Sequence, residues 1–499
     1  MTASSGASIA SHPTLEPFDE HNRRLVENVH PPDWRNPEPA ERYHLVAIGA
    51  GTAGLVSAIV TANLGGRAAL VERHLMGGDC LNVGCVPSKG LIAASRALQR
   101  RELGSRLAAP RPESEAFARA MERVRRLRAD ISPHDSARRF AEAGVDVFLG
   151  HGRFVARDEI EVDGKRLRFR RAVIATGARA AAPPIPGLED VDYLTNESVF
   201  SLTERPDRLL VIGAGPIGCE LAQAFAGLGS QVTLFDVAEQ VLIREDREAS
   251  AIVATRLERD GVALHLGAKI ERIERRGGET VVVFERKGAR QEAVGDRLLV
   301  AVGRRPNLED LGLETAGVEH GKDAVTVDDR LRTTNPKIYA AGDITRHPKF
   351  THLADAHAAI VIQNALFFGR RKASDLVVPW CTYTSPEVAH VGLYAHEAKD
   401  RGVPVDVVQV PFSGNDRALL DGEDEGFVKL VLAKGSDRIL GATVVAHHAG
   451  DLLAPLCLAV THRIGLGKFA ATIFPYPTQA EAIKKAANQW RKGKLSPLV

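Results

Sequence analysis

Cys80 and Cys85, two of only five cysteines in the chain, lie five positions apart in GGDCLNVGCVPSK, which runs from Gly77 to Lys89. Such a pair can serve as a metal clip, as a structural staple, or as a dithiol that is oxidised and reduced within a reaction. A zinc clip needs four ligands, usually in two close pairs, and the other candidates, His447 and His448, are adjacent and badly spaced for it. A staple over so short a loop removes little chain entropy, and a reducing compartment would open it. The residues favour a redox dithiol. Fully extended, five residues separate the two Cα atoms by about 17 Å, whereas a disulfide tolerates roughly 4.4 to 6.8 Å. The segment must therefore coil. A helix starting near Gly84, with local distortion, would bring the sulfurs together and lower a thiol pKa in its first turn, where Pro87 fits and Ser88 and Lys89 follow. Cys219 falls in an apolar helical stretch, and Cys381 and Cys457 in apolar surroundings where cysteine acts as a small core residue.

The elements around this pair form a repeat. HLVAIGAGTAGLVSAIVTANLGGRAALVER reads as a strand, a glycine-rich turn, a helix of small apolar residues and a second strand, and LLVIGAGPIGCELAQAFAGLGSQVTLFDV repeats it. In each copy the first glycine, Gly49 or Gly213, is followed 16 residues on by Gly65 or Gly229 and 23 residues on by Glu72 or Asp236. Gly49 permits the tight turn, Gly51 a close approach to pyrophosphate, and Gly54 close packing of helix on strand; Gly213, Gly215 and Gly218 repeat those roles. Glu72 is placed to accept from ribose hydroxyls. Asp236 would repel a 2′-phosphate and so favours NADH over NADPH, while Arg244, eight residues later, weakens that preference. Two such sites in one chain point to FAD and a nicotinamide coenzyme, NAD(P)H, a pairing suited to moving two electrons. The halves also share RAVIATGA, with Thr176 and Gly177, and RLLVAVGR, with Gly303, and these glycine-terminated strands are counted with the cofactor-binding positions.

At 499 residues the chain needs several cores. Residues 1–42 are polar and Pro-rich and read as an arm or linker, with order beginning near Tyr43. The divisions expected are an FAD-binding domain over 43–188 and 309–376, an NAD(P)-binding domain over 189–308, and a C-terminal α+β domain over 377–499. The Arg-rich stretch FARAMERVRRLRADISPHDSARRF reads as a solvated helix face: 65 basic against 63 acidic residues leave a net charge of +2, and no aromatics interleave for base stacking. Nucleic acid and anionic lipid are not expected partners. No apolar run is long enough for a membrane span, and the N-terminus lacks the cationic start and apolar core of a secretory signal, so a cytoplasmic setting is expected.

With two fingerprints and a C-x-x-x-x-C dithiol, the sequence resembles the flavin-dependent pyridine nucleotide-disulfide oxidoreductases, which include glutathione reductase, dihydrolipoamide dehydrogenase and mercuric reductase. GGDCLNVGCVPSK resembles that family's active-site segment. IYAAGDIT, with Gly342 and Asp343, looks like its second flavin motif, and CTYTSPEVAHVGL is similar to the opening of its dimerisation domain. The resemblance implies two Rossmann-like domains with a dimerisation domain, a homodimer, and an ion pair of Lys89 with Glu220 beside the flavin. It further implies that Cys85 is the sulfur nearer the flavin and Cys80 the thiolate that meets the substrate.

The family's disulfide reductases carry a C-terminal H-P-T-x-x-E acid–base pair; here the segment reads YPTQAE, with Tyr476 in the histidine's place and Glu481 retained. A phenol with an ordinary pKa near 10 is a poor base at neutral pH. That departure turns the expectation toward a mercuric reductase-like enzyme acting on a soft metal ion or another thiol-reactive small molecule, although the C-terminus KGKLSPLV has no cysteine pair to deliver metal. The alternatives are a dihydrolipoamide dehydrogenase-like enzyme and a flavin electron carrier or redox sensor without a dedicated substrate.

Overall fold

The computed structural model describes residues 15–103 and 114–494, so the first 14 residues of the arm and the last five of the chain lie outside the described residues. Tyr43–Ile48 (β1) enters the middle of the first sheet, with strand order Val145–Leu149 (β3), Ala68–Glu72 (β2), β1, Lys165–Ile174 (β6), Glu159–Val162 (β5), Arg153–Ala156 (β4). β1 runs parallel to β2 and β6, and Leu45 through Ile48 are all buried, the pattern of a parallel strand covered on both faces. A seventh strand, Ile338–Ala340, returns from far down the chain to lie parallel to β6, so the first unit is assembled from two stretches of sequence. Thr52–Asn63 (α2) follows β1 and packs on the later helix Thr351–Leu366.

The second unit repeats this plan. Its parallel sheet runs Val262–Leu266, Gln231–Asp236, Arg208–Ile212, Arg297–Val300, Tyr193–Leu194, beside a three-stranded antiparallel sheet over 269–295. The repeat extends to single bonds: Gly49 N–H donates to Val71 O and Gly213 N–H to Phe235 O, each at 2.8 Å. The C-terminal unit is a five-stranded antiparallel sheet covered by Ala449–His462 and Glu481–Lys492.

Two expectations are corrected. Order begins well before Tyr43, because Glu20–Val29 (α1) is a helix that Asp19 caps and that buries Asn22, Leu25, Val26 and Val29. The arm's polar composition hides this apolar stripe, whose spacing is helical. The Arg-rich stretch begins in Ser114–Ile131 (α5) and runs on through Ser132–Asp135 into Ala137–Glu142, and it is not simply a solvated face: Arg125 and Arg128 are buried, Arg125 on Asp19 and Arg128 on oxygens of Asn82 and Asn22. Cys381 and Cys457 are half-buried at the edge of a core and Cys219 is fully buried within one. Among the described residues no helix is long and apolar enough to cross a membrane.

Candidate active site

The chain coils between the cysteines by breaking one helix and starting another. Cys80 sits within the short helix Gly78–Asn82 (α3), and Cys85 is the first residue of Cys85–Leu103 (α4). Gly84 makes the junction possible, since a Cβ there would stand 2.7 Å from Asp79 O. Both cysteines are free thiols. The hydrogen bond from Cys80 pulls the Cys85 thiol well below its ordinary value, with help from the Thr351 hydroxyl, 3.5 Å from Cys85 Sγ, and from the Lys89 ammonium. Its place in the first turn of a long helix acts in the same direction. That same contact, together with burial, pushes the Cys80 thiol up. The pair is thus polarised, with Cys85 the thiolate and Cys80 the proton carrier.

Four residues after Cys85, Lys89 lies one helical turn along α4 and reaches Glu220 at 2.8 Å. Glu220 is buried in the helix Pro216–Gly227, which opens at the second glycine-rich turn, so the pair joins the two dinucleotide-binding units. The C-terminal unit completes it. Tyr383 donates its backbone N–H to Glu220 at 2.9 Å and places its ring 4.4 Å from Lys89 Nζ. Arg96, also on α4, fixes that turn by donating to the carbonyls of Tyr383 and Thr384 at 3.1 and 2.8 Å.

The two glycine-rich turns are equivalent in atomic detail. A Cβ on Gly54 would stand 1.8 Å from Gly49 O, and one on Gly218 1.8 Å from Gly213 O. Glu72 accepts N–H bonds from Ala50 and His74 at 2.7 and 2.8 Å; Asp236 accepts from Ala214 and Ala238 at 2.6 and 2.8 Å. Each acid therefore braces its turn while keeping lone pairs for a ribose. Burial raises Glu72. Gly51 and Gly215 cap their helices without a side chain, leaving backbone N–H groups open to a phosphate. A cavity lined by Gly49, Glu72, Gly150, His151, Thr176 and Asn307 opens at the carboxyl ends of β1 and β2, where open α/β sheets bind ligands. These donors, and the space a side chain would fill, fit a dinucleotide.

Thr176 and Gly177 lie in the short loop that follows β6, before the strand Ala178–Ala180, and Thr176 is locked there to Asn307 by two bonds of 2.9 and 2.8 Å. Gly303 precedes Arg304, whose guanidinium pairs with Asp79, beside Cys80, and stands 3.5 Å from Asp343. Gly342 donates its N–H to the buried His357 at 3.2 Å, and burial raises Asp343. Arg304, Thr351 and Tyr383 were not singled out by sequence reasoning. The only local signal for them was their position next to Gly303 or inside CTYTSPE, and for Thr351 there was none.

Tyr476 stands apart from this constellation within the protomer. It is 71% exposed and donates to Asp416 at 3.0 Å, a bond that raises its phenol further. Glu481 opens the helix Glu481–Lys492 and accepts from the Thr478 N–H at 3.5 Å. Among the described residues no hydrogen bond or ion pair links either one to Cys80 or Cys85 in the same chain. Nor, among those residues, do three or more His, Cys, Asp or Glu side chains gather as a metal site.

The fold and the polarised dithiol define a disulfide oxidoreductase class, and comparison with known proteins agrees. Residues 43–358 match the pyridine nucleotide-disulphide oxidoreductase family and residues 378–487 its dimerisation domain. The chain belongs to this family, whose members use FAD and NAD(P)H, and the dimerisation domain supports a homodimer. It is 37% identical to a mercuric reductase of Bacillus cereus over 90% of this chain and 72% of the relative. It is 35% identical to a dihydrolipoyl dehydrogenase of Thermus scotoductus over 90% of this chain and 98% of the relative. Among solved structures, the Cu(II) complex of the HOCl-induced flavoprotein disulfide reductase RclA from Escherichia coli superposes with a TM-score of 0.80. It is 29% identical, over 90% of this chain and 100% of that one.

Proposed function

We propose that the protein is a homodimeric, mercuric reductase-like enzyme of the cytoplasm that uses NAD(P)H, NADH being favoured, to reduce a thiophilic metal ion. The carrying observation is the exposed Tyr476, whose phenol is held above its ordinary range by Asp416. Reducing a disulfide requires a proton for each departing sulfur, and a histidine base normally manages that traffic. A soft cation exchanges onto thiolates by ligand substitution and needs no such proton. The coenzyme gives up a hydride, the divalent ion takes up its two electrons, and the proton left over passes to water.

Bound FAD supplies the two-electron step between the nicotinamide and the dithiol. The chain's own residues then have separate tasks. Cys85 holds negative charge next to Lys89; Cys80 keeps a proton until substrate arrives, then releases it to water as its sulfur ligates the ion, so no dedicated base is needed. Glu72 and Asp236 hold the two riboses, and Asp343 the flavin side chain. By the family's architecture, Tyr476 and Glu481 of one subunit complete the dithiol site of the other. That the RclA neighbour is described as a Cu(II) complex supports a metal ion as a ligand of this fold.

The dihydrolipoyl dehydrogenase relative favours a second reading, oxidation or reduction of a small dithiol with a weakened acid–base group. A steady-state assay separates the two. With FAD-loaded protein, NADH oxidation driven by Hg(II) in excess thiol and lost in Cys80→Ala supports metal reduction. Efficient turnover of lipoamide with none on Hg(II) overturns it.

A further inference from the structure

The segment before residue 43 lies outside the matched family region, yet it is tied to the helix that carries Cys80. Val29 O, at the end of α1, accepts the N–H of Met76 at 3.1 Å, just ahead of α3. Met76 O accepts from the Asn82 side chain at 3.0 Å, which also reaches Gly78 O at 2.9 Å, so Asn82 stitches the two ends of α3 together. Asn82 O accepts from Arg128 Nη1 at 2.8 Å, and Arg128 Nη2 donates to Asn22 Oδ1 at 2.8 Å. Asn22 is again on α1. The bonds close a circuit that leaves α1 at Val29, runs through both ends of the Cys80 helix, and returns to α1 at Asn22.

Each link lies where water does not compete. Asn22 is fully buried, Asn82 and Arg128 nearly so, and Leu25, Val26 and Val29 pack in the same core as Leu81, the neighbour of Cys80. Among the described residues Arg128 makes no direct ion pair, and its charge is received by the two amide oxygens. A buried guanidinium with only neutral acceptors is costly to keep. Five residues make a helix too short to hold its own geometry. We infer that Asn22 and Arg128 are positioning residues for Cys80: through this circuit the N-terminal helix fixes α3 so that the Cys80 sulfur stays against Cys85.

The inference rests on Cys80 being the substrate-facing thiol, and the test keeps the two claims apart. Full-length, FAD-loaded protein is reduced with NADH and treated with iodoacetamide, and alkylation at Cys80 and Cys85 is timed by mass spectrometry alongside metal-dependent turnover. Asn22→Ala removes the acceptor of a charged donor, and the expected result is about a tenfold rise in Cys80 alkylation relative to Cys85, with kcat falling while KM for NADH holds. Asn22→Asp, which restores an acceptor for Arg128, returns the ratio to that of the unaltered protein. An unchanged alkylation ratio in folded Asn22→Ala overturns the proposal, as does a drop in thermal stability with no change in either thiol. Should Asn22→Ala not fold, Asn22→Ser, which keeps a short hydroxyl acceptor out of reach of Arg128, gives the same comparison. Full turnover by Cys80→Ser would instead overturn the dithiol reading, whatever the Asn22 variants do.

Discussion

Lys89 meets Glu220 at 2.8 Å between a helix of the first dinucleotide unit and a helix of the second, with Tyr383 of the third unit closing over the ammonium. The dithiol is thereby wired to every unit of the chain. The two partners act on Cys85 with opposite sign: Lys89 lowers its thiol and Glu220 raises it. Lys89→Met is expected to move the Cys85 titration midpoint upward and Glu220→Gln to move it downward. Thiolate absorbance of the reduced protein, followed against pH, reads both shifts, and equal displacement in one direction would defeat this electrostatic account.

The equivalent glycine-rich turns make a prediction that distinguishes the two sites. A methyl on Gly54 or Gly218 would overlap a backbone carbonyl, and overpacking of this kind costs about 1–3 kcal/mol or more. Gly54→Ala is expected to yield a colourless protein that does not retain flavin. Gly218→Ala is expected to stay yellow but lose saturable NADH oxidation. Visible spectra and coenzyme titrations check the pair, and loss of colour in both would mean that the sites are not independent.

Asp236 sets up a third. Both its oxygens brace the turn, and in the proposed coenzyme site its charge would repel a 2′-phosphate. Asp236→Asn keeps one acceptor and removes the charge, so the NADPH to NADH ratio of kcat/KM should rise about tenfold. Parallel steady-state assays measure it; an unchanged ratio would shift the preference to another residue, such as the exposed Arg244.

Much of this architecture was readable in one dimension. The cradles were legible because G-x-G-x-x-G and the acid 23 residues on act through contacts inside one βαβ unit. Lys89 and Glu220 came from the resemblance rather than from spacing. Thr351 lies 266 positions from Cys85, Tyr383 163 from Glu220 and Arg128 106 from Asn22, and no local pattern encodes such meetings. Helix α1 was missed for a different reason: its apolar stripe is only a few residues wide in a polar, Pro-rich context, so tertiary burial rather than composition decides its fold.

Tyr476 offers a gain-of-function test. If proton traffic is what the chain lacks as a disulfide reductase, Tyr476→His should raise lipoamide turnover by roughly 10²-fold, the usual reach of a placed general base. Metal-dependent turnover should stay near its starting level, since ligand exchange onto thiolates does not need the imidazole. Steady-state assays on both substrates decide it, and a variant unimproved on lipoamide would place the obstacle elsewhere in the site.

The pH dependence follows from the polarised dithiol. Contact with the Cys80 thiol, the Thr351 hydroxyl and Lys89 bring Cys85 down to about 6, so its thiolate forms as pH rises through that region. Cys80 is displaced the other way and stays protonated across the neutral range. Reduced protein should therefore gain a single thiolate on going from about pH 5 to pH 7, while Cys80 alkylation climbs only in alkaline solution. Cys80→Ser keeps a hydroxyl donor to Cys85 and should leave most of the Cys85 shift in place, whereas Cys80→Ala removes the donor and should return it toward the ordinary thiol range. Ultraviolet titration of the two variants checks this, and a Cys85 midpoint identical in both would mean that Lys89 and the helix terminus, rather than the neighbouring thiol, hold the charge.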